Sequence, residues 1–195
     1  MPLRPAVFLD RDGVLNARRV GLVRRPGQLE LLPGVGAALA RLAATDRAIV
    51  VVTNQGAAGI GWIPDLDAVH RRLATLVQDA GGRLDAIEAC THPRWRGCAC
   101  RKPRPGLLRN AAERLGLDPA RSWMVGDKPS DIEAGRRFGA RTVWVRGGRK
   151  YPWERRWDPP ADVVADDLPG AVEAILAADA GAPSAPALRR RVRRS

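Results

Sequence analysis

Short apolar runs alternate along the chain with segments whose apolar positions recur at helical spacing. Ala6–Leu9 is apolar throughout and predicts a first buried strand. Residues 14–31, with Gly21, Pro26 and Gly27, predict an irregular insert. In 34–44, Val35, Ala38, Leu39 and Leu42 fall on one helical face. The run AIVVVT (48–53) predicts a second buried strand. The segment 64–80, with Leu66, Val69, Leu73 and Leu76, predicts a second helix. Further strands are expected at 84–89, 122–125, 141–145 and 162–164, and further helices at 106–117, 129–138 and 169–178. Fully apolar strands alternating with amphipathic helices imply an α/β fold, a three-layer Rossmann-like parallel sheet with helices on both faces. One domain over 1–180 is expected. From 181 to 195 the composition turns to Gly, Pro, Ser and Arg and predicts a disordered, arginine-rich tail.

Ligands in such folds bind where the strands end, so the residues there carry the chemistry. The first strand ends in Asp10-Arg11-Asp12-Gly13, the second in Thr53-Asn54-Gln55 and the fourth in Gly126-Asp127-Lys128. Arg101-Lys102-Pro103 follows the third. Two carboxylates two residues apart at a strand end return to the same side of the chain. One can attack phosphorus while the other handles the leaving-group proton, with a divalent cation screening the charge. Asp127 is the natural third metal carboxylate. A hydroxyl at Thr53 and an ammonium at Lys102 would offset charge gathering on a transferring phosphoryl group. Asp131 reads either as a carboxylate facing the site or as a helix-start residue. His70, between basic neighbours, is expected at the surface.

Cys90, His92, Cys98 and Cys100 form a C-x-H, C-x-C pair of arms within eleven residues. Four such ligands leave no position for water and match a closed structural zinc site, a zinc-binding loop inserted after the third strand. They also use every cysteine of the chain, which argues against a disulfide framework and for a reducing compartment.

The formal charge of +12 raises nucleic acid as a partner. Five arginines of that excess (189, 190, 191, 193, 194) lie in the tail, and the remainder is scattered. Few aromatics, no evident stacking platform and an acidic metal site count against a zinc-stabilised nucleic-acid-binding module, which stays as the alternative from another class. No run of about 18 apolar residues predicts a membrane span. The N-terminal segment lacks the zones of a signal peptide, so the cytoplasm is expected, and a small, complete fold makes a monomer the expectation.

The strings FLDRDGVLN, VVVTNQ, C-x-H…C-x-C-RKP-x-PG and MVGDKPSDIEAG, in this order, resemble the haloacid dehalogenase (HAD) superfamily. More narrowly, they are similar to its histidinol-phosphatase and heptose-bisphosphate phosphatase subgroup; ADVVADDLPGAVEAIL is similar to that subgroup's last strand and helix. The resemblance implies a phosphatase with Asp10 as nucleophile and Asp12 as general acid/base. It implies Mg²⁺ held by Asp10, the backbone carbonyl of Asp12, and Asp127. Thr53 and Lys102 would stabilise the phosphoryl group. Asn54, Gln55, Arg101 and Lys128 would contact substrate, with Arg18 and Arg19 at the entrance. The RKPRPG run and the C-terminal elements resemble enzymes that remove the C7 phosphate of D-glycero-D-manno-heptose 1,7-bisphosphate. The five-residue gap between His92 and Cys98 is similar to the histidinol-phosphate branch, the first alternative. Anomer preference and downstream pathway stay open.

Overall fold

The computed structural model describes residues 3–18, 22–147 and 160–181. Arg19 and, apart from Gly181, the expected tail lie outside the described residues. Six strands form one sheet: β1 (Ala6–Leu9), β2 (Ala48–Asn54), β3 (Ala86–Cys90), β4 (Trp123–Gly126), β5 (Arg141–Val145) and β6 (Val163–Ala165). Their order is β3-β2-β1-β4-β5-β6, and every pairing is parallel. Among the described residues, α1 (Val35–Ala43), α2 (Leu66–Asp79), α3 (Gly106–Leu115) and α4 (Pro129–Phe138) connect successive strands from β1 to β5, and α5 (Leu168–Asp179) follows β6.

Side-chain alternation along the strands builds two cores. Val7 and Leu9 of β1 face one layer with Ile49, Val51 and Val125, covered by α1, α2 and α5. Ala6 and Phe8 face the other with Val50, Val52 and Met124, covered by α3 and α4. Phe8 is fully buried and meets Phe138 of α4 edge-on at 5.3 Å. Truncating Phe8 to Ala would cost about 3–5 kcal/mol through lost transfer energy and the cavity left behind.

The expected β1, β5 and α4 match the observed elements residue for residue; the others shift by one or two positions. Local capping explains the shift at α2. Asp65 accepts a 2.7 Å hydrogen bond from the Ala68 N–H, so the helix begins after Asp65 rather than at Pro64.

The strand order reverses direction at β1, because the chain adds β2 and β3 on one side and β4 to β6 on the other. The crevice above β1 and β4 is therefore the switch point where such sheets bind ligands. Asp10 follows β1 there and Asp127 follows β4. The Asp10 N–H donates to the Val125 carbonyl at 3.0 Å, which ties the two strand ends together.

Candidate active site

Asp10 lies at the bottom of the crevice, 1% exposed. Lys102 Nζ is 2.9 Å from its Oδ1 and Lys128 Nζ is 2.8 Å from its Oδ2. Burial by itself would raise the Asp10 pKa. The ammonium groups of Lys102 and Lys128 overcome that and hold the carboxyl well below the usual range. A carboxylate so held is ionised at every physiological pH, the state a nucleophile needs.

Lys102, 3% exposed, also donates to the Val52 carbonyl at 2.7 Å and pairs with Asp131 Oδ1 at 2.7 Å. Asn54 brackets its backbone: Nδ2 donates to the Lys102 carbonyl and Oδ1 accepts from the Lys102 N–H, both at 3.1 Å. Asn54, expected to contact substrate, therefore spends its amide on fixing Lys102.

Asp12 turns its carboxylate away from Asp10 and into a cage of donors. Arg11 Nη2 reaches both of its oxygens at 2.9 and 3.1 Å, Asn16 Nδ2 donates at 3.0 Å, and Gln55 Nε2 donates at 2.8 Å. Gln55 also donates to Thr53 Oγ1 at 2.7 Å. Like Asn54, it is committed inside the protein and holds the groups around it.

The carboxylates of Asp10, Asp127 and Asp131 converge, each offering an oxygen within 4.8 Å of the others. The Asp12 side chain is not part of this cluster. Its backbone carbonyl oxygen lies 3.5 Å from Lys128 Nζ, the ammonium that also meets Asp10 and Asp127. Gly13 makes the approach possible: its φ is +98°, and a Cβ there would lie 1.9 Å from Asp127 Oδ2. Asp127 is buried with neither oxygen hydrogen-bonded, held by ion pairs to Arg18 at 2.6 Å and Lys128 at 3.6 Å. Burial raises its pKa to about 7, helped by the nearby charges of Asp10 and Asp131. Asp10, the Asp12 carbonyl and Asp127 thus surround a point where an ammonium sits, and an all-oxygen set of this kind fits Mg²⁺. Lys128 and Arg18, expected as substrate contacts, are here the cations that balance the carboxylates.

Three more residues, Asp131, Arg11 and His70, go beyond or depart from the sequence reading. Asp131 is fully buried, pairs with Lys102, and accepts from the Lys128 N–H at 3.0 Å; it is both helix cap and site carboxylate. Arg11 is 1% exposed. His70, expected at the surface, is half-buried against Arg11, with Nε2 3.4 Å from Nη1. Because arginine can only donate, His70 accepts there as neutral imidazole. Burial and the Arg11 charge lower its pKa to about 4.

Cys90, His92, Cys98 and Cys100 converge into a second cluster. Their ligand atoms are separated by 3.8 Å (Cys90–His92), 3.5 Å (Cys90–Cys98), 3.2 Å (His92–Cys100) and 3.4 Å (Cys98–Cys100). A tetrahedron with metal–sulfur bonds of about 2.3 Å has edges just under about 4 Å, so the set fits zinc with little adjustment. Arg101 follows this loop directly. It lines two adjoining cavities of about 630 and 550 Å³ that open above Asp10 and Asp12.

A parallel sheet with a nucleophile-ready carboxylate, a buried lysine and an all-oxygen metal cluster at its switch point defines a phosphoryl-transfer hydrolase. The HAD-hydrolase-like family model matches residues 99–171. A D-glycero-beta-D-manno-heptose-1,7-bisphosphate 7-phosphatase of Pseudomonas aeruginosa is 34% identical over 89% of this chain and 98% of its own. A D-glycero-alpha-D-manno-heptose-1,7-bisphosphate 7-phosphatase of Mycobacterium bovis is 44% identical over 65% of this chain and 69% of its own. The crystal structure of the D,D-heptose 1,7-bisphosphate phosphatase of B. bronchiseptica, complexed with magnesium and phosphate, superposes with a TM-score of 0.80. It is 35% identical and covers 88% of this chain and 98% of that one. The chain belongs to the HAD-like hydrolases, in the phosphatase family that contains these relatives.

Proposed function

We propose that this protein is a Mg²⁺-dependent phosphomonoesterase that removes the C7 phosphate of D-glycero-D-manno-heptose 1,7-bisphosphate through an aspartyl-phosphate. The observation that carries the reading is Asp10, buried, ionised and flanked by two lysines at the switch point, in a chain whose full-length relatives bear that activity in their names.

In this reading Asp10 attacks phosphorus and the bond to the C7 oxygen breaks. Asp12 gives its proton to the departing alkoxide. Asp12, now a carboxylate, then takes a proton from water as that water attacks phosphorus, which releases phosphate and restores Asp10. Arg11, Asn16 and Gln55 donate to Asp12 in its turned-away position, and in this reading it takes up a proton and swings from them to the leaving oxygen for the two transfers. Lys102 and Thr53 face the charge that builds on the phosphoryl oxygens. Asp10, the Asp12 carbonyl and Asp127 would hold Mg²⁺, which screens the repulsion between carboxylate and phosphate. The Cys/His cluster would hold zinc structurally, with all four positions filled by protein.

The site is complete within one chain and its thiols are free, which supports a monomer in a reducing compartment, the cytoplasm. Among the described residues no helix is long and apolar enough to cross a membrane.

A phosphate-release panel with Mg²⁺ tests the assignment. It compares the heptose bisphosphate, histidinol phosphate and a 3′-phosphorylated oligonucleotide. The expected result is the highest kcat/KM for the heptose bisphosphate. A preference for histidinol phosphate would move the enzyme to the other branch of the subgroup. No turnover of any of them would end the phosphatase reading.

A further inference from the structure

The rim of the cavity carries a feature that the phosphoryl chemistry does not use. Among the described residues, five large hydrophobic side chains are exposed: Leu3, Leu22, Ile60, Trp62 and Trp95. All but Leu3 line the single cavity of about 550 Å³ that also contains Arg11, Asp12 and Gln55. Isolated exposed apolar side chains need no explanation, whereas their concentration around one polar-floored cavity marks a ligand surface.

The rim is a built frame. Trp62 lies in the loop between β2 and α2, and Trp95 sits in the short 3₁₀ turn Arg94–Arg96 within the Cys/His loop. The two loops touch backbone to backbone: a Cβ at Gly59 would lie 2.0 Å from the Thr91 carbonyl oxygen, so no larger residue fits. Arg24 Nε donates to the Trp62 carbonyl at 2.7 Å and fastens the insert after β1 to the same rim. Trp62 is 59% and Trp95 78% exposed, so both indoles keep a face uncovered. Arg94 and Arg101 line the cavity beside them.

We propose that Trp62 and Trp95 form a stacking subsite for the ring of a phosphorylated sugar, and that this pair sets selectivity for the group beyond the phosphate. The proposal rests on the sugar-phosphate reading above and deepens it. A sugar ring presents an apolar C–H face to an indole and directs its hydroxyls outward, toward donors such as Arg94 and Arg101. A short acyclic ester has no such face.

The test uses full-length Trp62→Ala, Trp95→Ala and the double variant, with Trp62→Phe/Trp95→Phe as the conservative control. Steady-state kinetics with Mg²⁺ compare the heptose bisphosphate with glycerol 3-phosphate. The double Ala variant lowers the ratio of the two kcat/KM values about tenfold through KM, and the Phe pair restores most of it. An unchanged ratio overturns the subsite. Should the wild-type enzyme not prefer the bisphosphate over glycerol 3-phosphate, the substrate assigned above is lost. The same ratio is then taken with the better substrate of glucose 6-phosphate and fructose 1,6-bisphosphate. The subsite stands if the double variant lowers that ratio about tenfold. It falls if the ratio is unchanged or if no ring-bearing phosphate is hydrolysed.

Discussion

Lys128 places its ammonium 2.8 Å from Oδ2 of Asp10, and the same nitrogen lies 3.5 Å from the Asp12 carbonyl oxygen and 3.6 Å from Asp127 Oδ1. These are the atoms assigned to Mg²⁺. Lys128 and Mg²⁺ would draw on the same oxygens, so the ammonium is expected to give way to the metal and to serve the phosphate instead. Lys128→Met should tighten Mg²⁺ binding measured by calorimetry while lowering kcat about 10- to 100-fold. Weaker Mg²⁺ binding in that variant would show that Lys128 supports the metal rather than competing with it.

Asp127 gives the metal site its pH dependence. Its pKa, raised to about 7 by burial, means that a proton competes with Mg²⁺ below neutrality. The half-saturating Mg²⁺ concentration should rise as pH falls below 7, approaching about tenfold per unit, and flatten above pH 8. The sign for stability follows from the same shift. The folded state holds this proton more tightly than the unfolded state, so the metal-free protein gains from it at low pH. That gain is lost as pH rises from about 4 through about 7. A Mg²⁺ requirement independent of pH between 6 and 8 would contradict the assignment of Asp127.

His70 acts with the opposite sign. Its folded pKa is depressed from 6.5 to about 4, so the unfolded state takes up a proton first as pH falls through 6.5. Stability from this group is intact above that point and is lost toward pH 4. The loss is on the order of 1–2 kcal/mol once its partial exposure is allowed for. His70→Gln keeps an acceptor for Arg11 and removes the titration. Its thermal stability relative to wild type should improve at pH 5 and be unchanged at pH 7.5. Equal differences at both pH values would show that His70 does not titrate in this range.

The zinc cluster should be structural. Cys98→Ser or Cys100→Ser should abolish bound zinc, read by elemental analysis, and lower Tm by about 10 °C. The same loop carries Trp95 and Arg101, so KM for the substrate should rise with loss of zinc. Retention of one zinc per chain in either variant would exclude that residue as a ligand.

Much of this architecture is legible in the pattern of residues. AIVVVT is short, apolar and rich in β-branched residues, which reads as a buried strand, and Pro129 opening a helix after Gly-Asp-Lys marks the start of α4. The strand ends then bring Asp10, Thr53 and Asp127 into one crevice, whereas Lys102 reaches it from the loop twelve residues after β3. What the pattern hides is how side chains spend their hydrogen bonds. Asn54 and Gln55 look free to meet a ligand, yet each binds a neighbour in the site. Arg11 sits between two aspartates like any solvated basic residue, and only its burial shows that it grips Asp12. A signal for His70 was present: it lies beside Val69 and three residues before Leu73, at the edge of the apolar face of α2. The Trp62–Trp95 rim has no local signature, because loops far apart in sequence create it.

In the proposed mechanism Asp10 carries the phosphoryl group. Asp12→Asn removes the base for the second step, so acid quenching during turnover should trap the intermediate. Peptide mass spectrometry should then find a phosphoryl group on Asp10 in that variant and none in Asp10→Asn. An Asp10→Asn protein that releases phosphate at the wild-type rate, with no phosphorylated Asp10 in Asp12→Asn, would contradict the mechanism.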